Sequence, residues 1–145
     1  MKPVVTWIVL ANTREVSVLV NRGPGKGLVP LAGKYWEAED VNTPRDKPGV
    51  GHSIAGPAVS AVESTDHKRH SSELFAHEVM RQLSNSLAAK EFDRLVLVSG
   101  PMMLGLLRKS MDDHVRKTLV DEIAKDLSAL PIRALETHLG EVMAI

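Results

Sequence analysis

Two short runs that are apolar at nearly every position constrain the fold of this chain more than any other feature. They are Val4 to Ala11 near the start and Leu95 to Val98 in the second half. A strand with almost no polar side chain on either face must be covered on both sides, which is typical of the central strands of an α/β sheet. The rest of the chain is therefore expected to supply helices that cover the sheet.

A hairpin is predicted after the first run. Asn12-Thr13 is a polar turn, and Glu15 to Val20 alternates in a way that predicts a strand covered mainly on one face. Gly23 to Gly27 is rich in turn residues. Leu28 to Leu31 and Lys34 to Ala38 then supply a third strand.

A helix is predicted to begin at Ser71 or Ser72, because serine is a favoured helix N-cap. Its apolar residues recur every four positions, at Phe75, Val79, Leu83 and Leu87. This spacing places one apolar stripe against the sheet.

A long mobile loop is predicted over residues 39–70, which are rich in proline and glycine and have little periodicity. A segment of this kind can order when a partner binds. Its candidate contact residues are Asp46, Lys47, Pro48, Gly49 and His52.

The second half of the chain alternates between helix and strand. Pro101 begins a helix in which Gly105 is expected to allow close helix packing. Residues 119–127 fit either a helix or a strand, and Pro131 begins a last helix that Gly140 ends. The order predicts a single α/β domain over residues 1–145 with a mixed sheet of about five strands.

The composition excludes several classes of function. The chain has no cysteine, which removes thiol nucleophiles, cysteine metal sites and disulfides. Eighteen basic and eighteen acidic residues give a net charge of zero, which argues against attraction of the whole molecule to nucleic acid or an anionic membrane. The sequence shows no export signal and no membrane-spanning segment, which predicts a cytoplasmic protein without a membrane partner.

Catalytic and metal-binding patterns are weak. Ser99-Gly100-Pro101 follows a buried strand, where α/β sheets often bind ligands, but it lacks the glycine spacing of a nucleophile elbow and is interpreted as a turn. Asp112 and Asp113 are interpreted as capping or solvated acids. The histidines are weak candidates for a metal site, since basic residues lie among them: His67, His70 and His77. No cofactor is predicted.

Two basic clusters are candidates for contact with RNA phosphates or with a protein partner. Lys68, Arg69 and His70 form the first, and Arg108 and Lys109 form the second. The alternative interpretation is a solvated surface whose charges are balanced by neighbouring acids.

Several blocks of this sequence resemble the bacterial host attachment protein family, whose members are proteins required for attachment to host cells. The amino-terminal strand pair fits it from Trp7 to Leu19. Other matching residues are Asp46 to Gly49, Lys68 to His70, Glu73 to Ala76, Phe92 to Arg108, Lys125 to Ser128 and Leu130-Pro131.

The resemblance implies a fold. The family is grouped with relatives of the archaeal and eukaryotic peptide-chain release factor, so the implied fold is the middle domain of that factor, a ribonuclease-H-like α/β/α sandwich. It also implies that residues 117–125 include the last strand. Release factors hydrolyse peptidyl-tRNA with a Gly-Gly-Gln loop, which this chain lacks. The resemblance therefore does not imply hydrolysis here.

Three hypotheses follow. The first is a non-enzymatic cytoplasmic protein that supports attachment to host cells indirectly. The second is a module that binds the ribosome or tRNA, and no DNA partner is indicated. The third is a small-ligand or metal-dependent enzyme that uses the histidines or the Ser99 turn. An exposed edge strand would also allow a homodimer.

Overall fold

The core of the molecule is a twisted sheet whose central strands are the two apolar runs. The computed structural model describes residues 3–39 and 57–145, with the side chains of residues 57–66 left undescribed. The five strands are β1 (Thr6–Ala11), β2 (Glu15–Asn21), β3 (Val29–Glu37), β4 (Arg94–Ser99) and β5 (Leu119–Ile123). The helices are α1 (Pro57–Ala88), α2 (Pro101–Ser110), α3 (Asp113–Thr118) and α4 (Ile132–Leu139).

The sheet has the strand order β3-β2-β1-β4-β5 and is mixed. β2 pairs antiparallel with β1 and β3, whereas β4 pairs parallel with β1 and β5. Parallel neighbours need a crossover connection, and α1 supplies it between β3 and β4. Trp7 lies opposite Leu95 and Ala11 lies opposite Ser99, so β1 and β4 end at the same edge of the sheet.

Alternation along β1 divides the core into two layers. Trp7, Val9 and Ala11 pack on one face with apolar side chains of α1, α2 and α3. Ile8 and Leu10 pack on the other face with residues of α4 and the segment around it. The predicted α/β/α sandwich is therefore confirmed, and the ambiguous residues 119–123 form a strand.

Two expectations about individual elements are wrong. β2 is buried on both faces rather than mainly on one, because Leu19 packs in the α4 layer while Val18 packs in the α1 layer. Gly105 does not permit a close helix contact, since no heavy atom of the described residues lies within 4 Å of the position its Cβ would take.

The long helix begins earlier than predicted. α1 begins at Pro57, so residues 57–70 of the predicted loop are helical, and neither Ser71 nor Ser72 is an N-cap. Ser72 Oγ instead donates a hydrogen bond to the Lys68 carbonyl, 2.9 Å away, one turn back. Residues 67–70 are all exposed, so this turn carries no apolar stripe that would reveal a helix. The rest of the predicted loop, with Asp46, Lys47, Pro48, Gly49 and His52, lies outside the described residues.

Within residues 3–39 and 57–145, no helix is both long and apolar enough to cross a membrane.

Candidate functional site

The sheet reverses direction between β1 and β4. From β1 the chain proceeds outward to β2 and β3, and α1 then brings it back to β4 on the opposite side. In open α/β sheets ligands bind at such a reversal, in the crevice beyond the carboxyl ends of the strands. The segments that follow β1 and β4 are therefore the first place to look for a site.

A groove of about 670 Å³ opens at this edge, and we call it the α1–α2 groove. Thr13, which follows β1, contributes to one end. The two helices line its sides, α1 with Lys68, Arg69 and Ser72, and α2 with Met102, Gly105, Leu106 and Lys109. The groove thus joins two basic clusters that are separate in the sequence.

Three cations surround an apolar floor in the α1–α2 groove. Lys68, Arg69 and Lys109 are exposed, whereas Leu106 is buried and Met102 presents 57% of its surface. The Arg69 Nε lies 3.7 Å from Glu73 Oε1, an exposed pair that fixes the guanidinium only loosely. The groove therefore offers positive charge above a surface on which an apolar or planar group can pack.

Arg108 does not belong to this groove. Its guanidinium Nη2 lies 2.6 Å from Glu122 Oε1 on β5, and this hydrogen bond raises the pKa of Arg108. The side chain therefore points along the β5 side of α2, while Lys109 faces α1. His70 is exposed on α1 and does not line the groove.

The turn after β4 begins a helix and leaves its serine inaccessible. Ser99 ends β4 and is fully buried, and among the described residues its Oγ has no hydrogen-bond partner. Gly100 is the N-cap of α2, and Pro101 is its first residue, as expected for proline. A nucleophile has to reach its substrate, and the Ser99 hydroxyl is covered.

The three histidines do not form a cluster in space. His67, His70 and His77 are all exposed on α1. Within the described part of the chain, no three or more histidine, aspartate or glutamate side chains are placed so that they would hold a metal ion. These residues do not fit the zinc site that their spacing in the sequence suggested.

A neighbouring groove between α1 and the strands β2 and β3 is lined by the acidic residues Glu15 and Glu37, and Lys68 of the α1–α2 groove lines it as well. Glu15 on β2 is directly opposite Glu37 on β3. The Tyr35 hydroxyl donates a hydrogen bond of 2.6 Å to Glu15 Oε2, and this bond is the main cause that raises the pKa of Tyr35 above its usual range. Only the strand register, which depends on a bulge in β2–β3, brings these residues together.

The fold and the groove define an α/β/α sandwich domain with a cation-rimmed site at the carboxyl edge of its sheet. The model of the family described as "Protein required for attachment to host cells" matches residues 7–139. The chain belongs to this family, which confirms the resemblance drawn from its sequence. No curated protein matches the chain.

Among solved structures, the chain is similar to the crystal structure of an archaeal translation termination factor, aRF1. The sequence identity is 12% and the TM-score is 0.49. The likeness covers 81% of this chain and 29% of the termination factor.

Proposed function

We propose that this protein supports attachment to host cells indirectly, as a non-enzymatic binding module whose α1–α2 groove contacts RNA phosphates. Membership of the host attachment family supports the role in attachment. The observation that carries the binding proposal is the convergence of Lys68, Arg69 and Lys109 from two helices on one groove.

The charge of the groove is local. The whole chain is neutral, so a general electrostatic attraction contributes little. Three cations on one groove nevertheless suffice to neutralise about three phosphates, which releases the counterions condensed on them. We therefore expect a modest affinity for RNA that decreases clearly as the salt concentration rises.

The apolar floor of the groove favours binding of a single-stranded region of RNA. Met102 and Leu106 provide apolar contact, and Gly105 leaves open space between them and α1. Sequence-specific RNA recognition mostly targets unpaired bases, which can leave a stack and pack against protein. The loops of tRNA and of ribosomal RNA are therefore the partners to test first.

The experiment measures binding of tRNA and of a short single-stranded RNA by fluorescence anisotropy at several salt concentrations. The test variant combines Lys68→Ala, Arg69→Ala and Lys109→Ala. For a single strand we expect the slope of log K against log salt to fall in magnitude by about 2, since each lost phosphate contact removes about 0.7. Arg108→Ala is the matched control, because Glu122 already holds this cation away from the groove.

Two results would overturn the binding proposal. One is equal binding by the triple variant and the unchanged protein, and the other is a loss of binding from Arg108→Ala as large as the loss from the triple variant. The attachment role is tested separately with a deletion strain, complemented by the original gene or by the triple variant. Normal attachment of the deletion strain would contradict that role whatever the RNA result.

A further inference from the structure

Gly105 lines the α1–α2 groove in a backbone conformation that does not require a glycine. It lies in the middle of α2, where glycine is the least favourable residue after proline. The glycines of the described residues that have a positive φ lie elsewhere, in β3 and in the turn before it. Any good helix former would therefore suit the backbone at this position better.

Packing does not require a glycine at this position either. Glycine inside a helix often allows another element to approach closely. Among the described residues, however, no heavy atom lies within 4 Å of the position that a Cβ of Gly105 would take. A residue that departs from the local preference without a packing role is a candidate for a role in binding.

The open surface above Gly105 faces the α1–α2 groove. Met102, Leu106 and Lys109 line the groove beside it. These positions are three or four residues apart, so they share one face of α2. Along the helix axis, Met102 lies about 4.5 Å before the glycine and Lys109 lies about 6 Å after it. The glycine therefore leaves a gap in the floor between an exposed thioether side chain and a cation, and we call it the Gly105 gap.

The groove also brings hydroxyl groups near the Gly105 gap. Ser72 lines the groove from α1, and Thr13 lines it from the segment after β1. The Ser72 hydroxyl donates its hydrogen to the Lys68 carbonyl at 2.9 Å, so its oxygen can accept a further hydrogen bond. The Thr13 hydroxyl can donate or accept. The gap thus suits a group with an apolar face and polar edges.

We propose that the Gly105 gap holds one unpaired base of the RNA whose phosphates contact the cations of the groove. This inference rests on the proposed function and names the part of the RNA that the groove recognises. A nucleobase fits, because it has planar faces and its edges carry hydrogen-bond donors and acceptors. Sulfur also contacts aromatic rings favourably, so Met102 is suited to lie against the base.

The base contact adds to a modest attraction for the phosphates. The Arg69 Nε lies 3.7 Å from Glu73 Oε1, and Lys68 also lines a neighbouring groove that contains Glu15. These acids reduce the attraction of both cations for a phosphate. An apolar protein side chain is the other candidate for the gap, but it would leave the cations of the rim without an anionic partner. The rim therefore favours RNA.

The experiment compares two short RNA strands of equal length and charge by fluorescence anisotropy. One strand carries all its bases, and the other has abasic sites at its central positions. We expect the unchanged protein to bind the first strand about fivefold more tightly, the effect of one sulfur–aromatic contact. This ratio should decrease with Gly105→Ala and approach one with Gly105→Leu, because each larger side chain fills more of the gap.

Ala88→Leu is the matched control for the added side chain. It places a leucine at an exposed helical position outside the groove and should leave the ratio unchanged. If Gly105→Leu does not fold, Met102→Ala replaces it, since it removes the side chain on which the base lies and should also lower the ratio. Met102→Leu retains an apolar side chain of similar size and should keep most of the ratio.

Three results would overturn the inference. They are a ratio of one in the unchanged protein, an unchanged ratio in Gly105→Leu and Met102→Ala while circular dichroism shows both folded, and displacement of the strand by a phenylalanine-containing peptide but not by adenosine monophosphate.

The proposed function fails in a different way. If the unchanged protein binds both strands equally and with the expected salt dependence, the phosphate contacts are supported and the base contact is wrong. If the ratio depends on Gly105 while the triple cation variant binds as well as the unchanged protein, the phosphate contacts are wrong. Binding of neither strand would contradict both.

Discussion

The Arg108 guanidinium of α2 binds the Glu122 carboxylate of β5 through two nitrogens, with Nη2 2.6 Å from Oε1 and Nε 2.9 Å from Oε2. Two adjacent cations, Arg108 and Lys109, thereby have different roles. Arg108 connects a helix to the edge strand, and Lys109 faces the α1–α2 groove.

Removing this contact should weaken the fold only slightly. Both side chains are partly exposed, and water and salt screen such pairs. We expect Arg108→Ala to lower the urea midpoint by less than Asp112→Ala does, and a double-mutant cycle with Glu122→Ala to show a small favourable coupling. A coupling of zero would contradict the two-nitrogen geometry as a source of stability.

Asp112 should contribute more to stability than Arg108, because its carboxylate joins two helices, α3 and α1. Its carboxylate accepts the Val115 amide at 2.8 Å as the N-cap of α3, and it accepts the Ser84 hydroxyl of α1 at 2.7 Å. We expect Asp112→Ala to cost about 1 kcal/mol of unfolding free energy. Asp112→Asn keeps an acceptor oxygen and should cost less, which urea unfolding at neutral pH would show.

The effect of Asp112 should depend on pH in one direction. The Val115 amide, and then the Ser84 hydroxyl, lower the pKa of this carboxyl below its ordinary value of 3.8. A group with a lowered folded pKa stabilises the protein above its unfolded pKa, and that contribution is lost as pH falls through the folded pKa. The difference in the free energy of unfolding between Asp112→Ala and the unchanged protein should therefore become smaller below about pH 4. A difference that widens with acid would contradict this sign.

Gly105→Ala should stabilise the protein. The residue is inside α2 and nothing among the described residues lies within 4 Å of its would-be Cβ, so alanine gains about 0.5–1 kcal/mol from reduced chain entropy. Gly27→Ala is the contrasting variant. Its φ of +70° disfavours a side chain and Glu136 Oε2 lies 3.0 Å from the new Cβ, so we expect a loss of about 1–2 kcal/mol. Thermal unfolding of both variants measures these two changes in stability. Equal changes for Gly105→Ala and Gly27→Ala would contradict the argument from backbone conformation.

Leu107→Ala should be among the more costly changes in α2. The side chain is fully buried between α2 and the sheet, and truncation of a buried leucine costs about 2–5 kcal/mol. Met102→Ala on the same helix removes an exposed side chain and should stay within about 0.5 kcal/mol. Chemical unfolding of these two variants distinguishes the effect of burial from that of helix propensity. Similar losses of unfolding free energy would contradict the exposed position of Met102.

Much of the fold could be predicted because it depends on local patterns. The apolar runs mark β1 and β4, Pro101 marks the start of α2, and Gly140 marks the end of α4. The beginning of α1 could not be predicted from the sequence, because residues 67–70 are exposed and need no apolar period. A helix without a buried stripe leaves the same polar pattern as a loop.

The candidate site was predictable in part. Residue type alone identified Lys68, Arg69 and Lys109 as cations for a phosphate or a partner. It could not separate Arg108 from Lys109, since the direction of each side chain depends on the position of Glu122, 14 residues further along. It also missed Thr13 and Met102, whose only signal is their position just beyond the ends of β1 and β4.

The sequence by itself determined the layers, the central strands, the absence of thiol chemistry and the family of this protein, because these follow from composition and from patterns within a few residues. Only the tertiary structure decided which charges face one another. β1 and β4 end together because they are parallel neighbours, and α1 and α2 then hold three cations that are distant in the sequence over one groove. Such juxtapositions are set by strand order and helix rotation, which no local stretch of sequence records.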